Sequence, residues 1–332
     1  MITTVASLTE TKTMTYVEAI REALVEEMRR DAKVFVIGED VAKYGGVFKA
    51  TKGLLDMFGP ERVRDTPISE NAIIGAAMGA ALLGYHPVAE IMYMDFLNES
   101  ADQLINHLPK MHFMTGGKLA ASVVIRTQYS LGRSTGAQHS QFSLSLYMNT
   151  PGIMVATPST PADAKGLLKT AIRGSNPVLF VESSVLYGSK GEVPMQEYLT
   201  PFGKAEVKHE GNDVTVVAIS RMVREALAAA TTLESEGIGV EVVDLRTIVP
   251  LDIDTVVSSV KKTGRLVTAE DCCRTSGVGA EVVAQIAERG MDYLEGVERV
   301  AFPDMPAPFS PPLQNAFMPS KESIIGAVKR IV

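Results

Sequence analysis

Short apolar runs rich in Val and Ile recur along this chain, and each is followed by residues with helical spacing. Lys33–Gly38 (KVFVIG), Val88–Met92, Ser122–Thr127 (SVVIRT) and Pro177–Glu182 (PVLFVE) read as buried strands. Thr15 and Glu18 spell a capping box ahead of Val17, Ile20, Leu24 and Met28, which share one helix face. Thr160-Pro161-x-Asp163 opens a helix that should run to about Arg173, and Glu99–Met114 reads as another. Tyr187–Pro201 is rich in Gly, Pro and polar residues and reads as a connector. The alternation then restarts: strand Val214–Ile219, helix Met222–Glu236, strand Gly239–Leu245, helix Ile253–Lys262, strand Arg265–Ala269 and helix Gly277–Arg289. A Pro-rich segment, Pro303–Pro319, leads to a last helix at Lys321–Ile331. Strands that alternate with helices need a parallel sheet covered on both faces. The chain is therefore expected to be α/β, with two doubly wound domains at residues 1–190 and 206–332 and a linker at 191–205.

The 332 residues, 46% hydrophobic and 21% charged, suffice for two such cores. A net charge of −7 and no basic cluster larger than a pair such as Lys261-Lys262 or Arg29-Arg30 argue against nucleic-acid or anionic-membrane partners. The adjacent Cys272 and Cys273 are the only cysteines, which gives no disulfide framework and fits a reducing compartment. Met1–Met14 is polar and lacks the apolar segment of a secretory signal. The uncharged run Ala72–Leu83 is shorter than the roughly 20 residues that span a bilayer. A cytoplasmic or organelle-matrix location is expected.

That uncharged run follows Asp65-Thr66-Pro67-Ile68-Ser69-Glu70-Asn71. With no polar face to give to water, a helix there should be buried, with Glu70 at its mouth. A lone acid in that place is costly unless paired, so Glu70 either makes a structural hydrogen bond or meets a ligand. Glu39-Asp40 follow the strand Lys33–Gly38, at the end where open α/β sheets bind ligands, although caps and solvated loops use such pairs more often. Glu90, inside an apolar strand, reads as a structural carboxylate bonded to backbone N–H groups or to Arg126. Among the histidines, His107 and His112 read as surface or packing residues, whereas His139 lies in the polar loop Gly136–Gln141, where functional histidines concentrate. Gly45-Gly46 and Gly116-Gly117 read as turns. The chain carries no G-x-x-x-x-G-K-S/T, no H-E-x-x-H and no Gly-Asp-Gly, so it lacks an evident phosphate cradle of its own.

Several segments in this order resemble one family. They are Thr66–Glu70, Ala89-Glu90-Ile91-Met92-Tyr93-Met94-Asp95-Phe96, Asp102-Gln103-Leu104-Ile105-Asn106 and Gln138-His139-Ser140-Gln141. Pro151-Gly152, Asp163-Ala164-Lys165-Gly166-Leu167 and Leu245-Arg246-Thr247-Ile248-x-Pro250-Leu251-Asp252 extend the likeness over nearly the whole chain. The family is the β subunit of the thiamine-diphosphate-dependent, decarboxylating first component of 2-oxo acid dehydrogenase complexes, pyruvate or acetoin type. The resemblance implies a pyrimidine-binding domain followed by a transketolase-type C-terminal domain. It implies that Glu70 bonds a ring nitrogen of the aminopyrimidine, that Phe96 stacks on that ring, and that Ile68 gives a backbone contact. It places Glu39 close to Glu70 and His139 against substrate or the incoming lipoyl group. Some relatives hold a structural potassium through backbone carbonyls, here Val123, Ala171, Ile172 and Asn176, although Gly174 stands where relatives often have Asp. The missing Gly-Asp-Gly then implies an α subunit that supplies the Mg²⁺ and diphosphate half of the site, in an α₂β₂ heterotetramer docked on a lipoyl-bearing acyltransferase core. The implied activity is oxidative decarboxylation of pyruvate, or cleavage of acetoin, with reductive acylation of the lipoyl group. A branched-chain 2-oxo acid dehydrogenase β subunit and a split transketolase-like subunit are the alternatives.

Overall fold

The structure, a computed structural model, describes residues 10–332; the first part of the polar N-terminal stretch, residues 1–9, lies outside the described residues. Strand β1 (Thr11–Thr15) leads into helix α1 (Tyr16–Arg30), started by the expected capping box: Glu18 N–H donates to Thr15 Oγ1 (3.3 Å) and Thr15 N–H to Glu18 Oε2 (2.8 Å). The first half continues through β2 (Val34–Gly38), a short α2 (Leu54–Phe58), β3 (Val63–Asp65), α3 (Glu70–Leu82) and β4 (His86–Glu90). A short α4 (Met111–Met114), β5 (Val124–Tyr129), α5 (Leu144–Met148), β6 (Met154–Ala156), α6 (Pro161–Arg173), β7 (Val178–Ser183) and β8 (Lys190–Pro194) complete it. The second half holds β9 (Glu206–His209), β10 (Val214–Ala218), α7 (Arg221–Glu234), β11 (Val240–Asp244), β12 (Thr247–Val249) and α8 (Ile253–Thr263). It ends with β13 (Arg265–Cys273), α9 (Val278–Gly290), β14 (Gly296–Phe302), α10 (Pro311–Phe317) and α11 (Lys321–Ile331).

The main sheet has seven strands in the order β12-β6-β7-β5-β4-β2-β3, parallel throughout except for β12. A second sheet runs β14-β13-β10-β11-β9, with β9 antiparallel. Strands β5, β7, β10 and β11 are buried at every residue, the consequence of helices on both faces. Helix α1 lays Ile20, Leu24 and Met28 into the core beside α6. Buried Lys165 and Lys169 of α6 reach out to Glu22 and Glu26 of α1 at 2.5–2.9 Å. One apolar core runs through both halves, joining Ile125 and Tyr129 to Val217, Val243 and Leu245.

Four sequence expectations need correction. Helix α3 is buried on one side only: Ile73, Ile74, Ala77 and Ala81 face the core, while Ala72, Ala76 and Gly79 are exposed. Leu83 just beyond it and Ile68 just before it are 80% and 81% exposed. A helix without a polar face leaves its second side open here because no other described residue packs on it. The single helix expected at 99–114 is instead a 3₁₀ turn (Met94–Ser100), a π turn (Asp102–His107), a second 3₁₀ turn (Leu108–Lys110) and α4. Pro109 has no N–H to return to the preceding turn, so the regular ladder cannot continue. Part of the presumed connector is β8, which pairs antiparallel with β1. Strand β14 had no sequence signal, because Glu298 and Arg299 interrupt its apolar pattern.

Candidate active site

Three parallel strands deliver their carboxyl ends to one place. Strand β2 ends at Gly38 and is followed by Glu39 and Asp40, and β3 ends in Asp65, five residues before Glu70 opens α3. Asp65 laces the two loops together, accepting from the N–H groups of Ala42 (2.7 Å) and Lys43 (3.3 Å), while Thr66 N–H donates to Gly38 O (3.0 Å). This lacing brings Glu39 under the influence of Glu70. Burial first, then the negative charges of Glu70 and Asp40, push the Glu39 carboxyl above its usual range. Gly38 cannot be replaced cheaply, since a Cβ there would lie 2.7 Å from the carbonyl oxygen of Glu90.

Below this mouth lies a buried ionic cluster. Arg126 donates to Glu90 Oε2 (2.6 Å) and, through two nitrogens, to both oxygens of Glu182 (2.8 and 2.9 Å), and Tyr187 Oη donates to Glu182 (2.7 Å). Glu90 is therefore the structural carboxylate that its sequence setting indicated.

After β4 the chain turns through Tyr93 and Phe96 and meets the loop that carries His139. The rings form an edge-to-face cluster: Tyr93 to His139 4.7 Å, Phe96 to His139 5.2 Å, and Tyr93 to Phe96 5.3 Å between centroids. Phe48 adds a further edge contact to Tyr93 at 5.7 Å. The structure thus brings Phe96 to His139, and Glu39 into the electrostatic reach of Glu70, with Glu39 and Phe96 in the segments that follow the adjacent parallel strands β2 and β4. Ile68 stands exposed on the loop that leads into α3. His107 and His112 are held locally, by Asp102 (3.1 Å) and the Leu119 carbonyl (2.9 Å). Gly45 and Gly46 both turn with φ of 77°, and Gly116 and Gly117 with 62° and 79°.

The four carbonyl-bearing residues Val123, Ala171, Ile172 and Asn176 lie in two neighbouring segments. Ser122 Oγ bonds the Gly174 carbonyl (2.6 Å), and Val178 N–H bonds the Val123 carbonyl (2.9 Å). Val123, Ala171 and Ile172 are buried and Asn176 is exposed. Among the described residues no group of three or more His, Cys, Asp or Glu side chains is arranged to hold a metal ion.

Sequence reasoning missed Asp65, Tyr93 and Asp95 as organisers of the site. Their contacts cross loops far apart in the chain, and only the aromatic spacing of Tyr93 and Phe96 offered a hint. Gly132-Arg133-Ser134-Thr135-Gly136 also has the spelling of a hydrolase nucleophile elbow, and Ser134 has φ 55°. No helix follows that loop directly and no histidine bonds the Ser134 hydroxyl among the described residues, so the elbow context is missing. The histidine loop also borders a cavity of about 710 Å³, lined on its far side by Cys272, Phe302 and Met305.

Residues 12–190 match the family described as "Transketolase, pyrimidine binding domain", and residues 203–324 match "Transketolase, C-terminal domain". Over 326 residues the chain is 45% identical to "Pyruvate dehydrogenase E1 component subunit beta, mitochondrial" of Dictyostelium discoideum, covering 97% of this chain and 92% of that one. The chain belongs to the E1-component β-subunit family. Within this family it is also 44% identical to "Acetoin:2,6-dichlorophenolindophenol oxidoreductase subunit beta" of Cupriavidus necator (94% and 95% covered). It is 42% identical to "2-oxoisovalerate dehydrogenase subunit beta" of Bacillus subtilis (96% and 98% covered). A solved structure titled "Split gene transketolase, inactive beta4 tetramer" superposes with a TM-score of 0.80 at 26% identity, over 96% of this chain and 98% of that one. The fold is thus the α/β arrangement that the strand–helix alternation indicated, of the transketolase type that the resemblance implied.

Proposed function

We propose that this chain, together with an α subunit, forms a thiamine-diphosphate-dependent E1 component that oxidatively decarboxylates pyruvate, or cleaves acetoin, and reductively acylates a lipoyl group on an acyltransferase core. The observation that carries this reading is the laced pair Glu39–Glu70, set beside the Phe96–His139 ring cluster at the carboxyl ends of adjacent parallel strands.

The residues fit the cofactor. Thiamine diphosphate supplies, when bound, a carbon nucleophile and a sink for the electron pair released on decarboxylation. Glu70, at the first turn of α3, is placed to hold a proton on a ring nitrogen of the aminopyrimidine. Glu39, already biased toward its protonated form, can share that proton. Phe96 offers an apolar face, Ile68 an exposed main chain, and His139 a proton donor or acceptor at the substrate side.

The chain has no Gly-Asp-Gly, so the Mg²⁺ and diphosphate half is assigned to the α subunit, with the open side of α3 as a surface suited to be covered in an α₂β₂ assembly. The carbonyls of Val123, Ala171, Ile172 and Asn176 are the proposed potassium ligands. No described helix is long and apolar enough to cross a membrane, which is compatible with work in the cytoplasm.

The test is co-purification with an α chain carrying Gly-Asp-Gly, followed by reduction of an artificial acceptor with pyruvate, acetoin and a branched 2-oxo acid. Thiamine-dependent turnover of at least one is expected. Glu70→Gln should lower kcat by about a hundredfold, the scale of a lost proton-transfer group. Failure on all three substrates, or an unimpaired Glu70→Gln enzyme, would overturn the reading. Ketol transfer between sugar phosphates in the same preparation would favour the split-transketolase alternative instead.

A further inference from the structure

Asp95 sits beside Phe96 in the turn after β4, with one carboxylate oxygen bonded and the other without a partner among the described residues. It is 9% exposed. Oδ1 accepts the backbone N–H of Gln141 at 3.3 Å, across 46 positions of chain, and the N–H of Ser140 also faces the carboxyl. Oδ2 is buried with no hydrogen-bond partner among the described residues. Both N–H groups lie immediately after His139 in the chain, and the positive charge His139 can bear acts on the same carboxyl.

The loop needs such an anchor. Between Gly136 and Gln141 it forms neither helix nor strand. Its own restraints are few: His139 N–H reaches Gly136 O at 3.4 Å, and the Thr135 hydroxyl lies within 3.2 Å of His139 O and 2.9 Å of Ser140 Oγ. Gly136 turns with φ 81°. A buried carboxylate with an unbonded oxygen is costly, and burial pushes this one above the usual aspartate range. An apolar side chain would cost less and would serve packing alone. What it would lack is an acceptor for the loop's N–H groups.

We propose that Asp95 is the positioning residue for His139: it ties the histidine loop to the Tyr93–Phe96 turn and so fixes where the imidazole stands. Asp95 acts through the loop backbone and not on substrate. The proposal rests on His139 being the active-site histidine of the function proposed above.

The test uses the full chain assembled with its α subunit, in Asp95→Asn, Asp95→Ala, His139→Gln and Asp95→Ala/His139→Gln forms. Carbethoxylation of His139 by diethyl pyrocarbonate, followed peptide by peptide in a mass spectrometer, reports the position of the ring without reference to turnover. In Asp95→Ala the labelling rate of His139 should rise several-fold, kcat should fall about tenfold or more with KM little changed, the cost of a displaced catalytic group. Asp95→Asn keeps one acceptor oxygen and should give labelling and kcat between the wild-type and alanine values. The double variant should be no slower than His139→Gln alone. Unchanged His139 labelling in both Asp95 variants, or losses that multiply in the double variant, would overturn the proposal. If the alanine variant does not fold, the asparagine variant decides by the same labelling. A His139→Gln enzyme of full activity would instead remove the assumed role of His139, while the labelling still reports whether Asp95 holds the loop.

Discussion

At the residue scale, Arg126 shows how much the site's floor depends on one cation. It is 2% exposed and stands between two carboxylates, Glu90 and Glu182. Replacing it by Met keeps the volume but strands both acids without a counter-charge, which should cost about 3–5 kcal/mol. Urea unfolding of Arg126→Met against wild type checks this, and a loss below about 1 kcal/mol would show that the acids find other partners. This pairing was legible in the sequence because Glu90 and Arg126 each interrupt an apolar strand and so need each other. The capping box at Thr15 and Glu18 was legible for a different reason, since its chemistry is complete within four residues. Asp65 and Asp95 were not, because an acid in a loop acquires meaning only from the backbone that folds onto it.

At the element scale, the open side of α3 sets a clear expectation. Ala72, Ala76 and Gly79 line it, with Ile68 and Leu83 at its two ends. Ala76→Glu places a charge on a side that no described residue covers, so the isolated chain's stability should change by no more than about 0.5 kcal/mol. The same charge should abolish co-purification with an α subunit, as read by size-exclusion chromatography. Retained assembly would mean that the partner packs elsewhere. The helix itself was predictable from Ser69-Glu70 and the uncharged run. Its half-burial was not, because a sequence shows that a face is apolar without showing whose surface covers it. The single helix expected at 99–114 failed for a local reason: its residues favour a helix, and Pro109 forbids the regular one.

At the scale of the whole molecule, the two halves meet across buried charge. Asp244, at the end of β11, accepts from Ser159 Oγ (2.5 Å) in the first half, and Asp163 there takes Lys208 (3.0 Å) and Arg246 (3.3 Å) from the second. Burial, and next the charge of Asp163, raise the Asp244 carboxyl to about 7. The unfolded value is about 3.9, so the folded chain keeps a proton that the unfolded chain releases, and stability falls as pH rises from about 4 through about 7. Melting temperature should therefore drop between about pH 5 and about pH 8, and Asp244→Asn should flatten that slope. An equal slope in the variant would place the titration elsewhere. The alternation of strands and helices made both α/β halves readable at this scale. The seam between them was unreadable, since it joins side chains 40 to 90 positions apart that carry no local pattern.

The edge position of Thr247–Val249 has a consequence for any attempt to divide the chain. This strand comes from the second half yet closes the main sheet of the first by pairing with Met154–Ala156. A fragment stopping at the connector would expose the backbone of Met154–Ala156 as a bare edge, ready to pair with another copy of itself. The remaining fragment would carry a strand with no sheet to join. Recombining modules from two relatives is thus safest when Thr247–Val249 travels with the sheet it completes rather than with the residues that flank it.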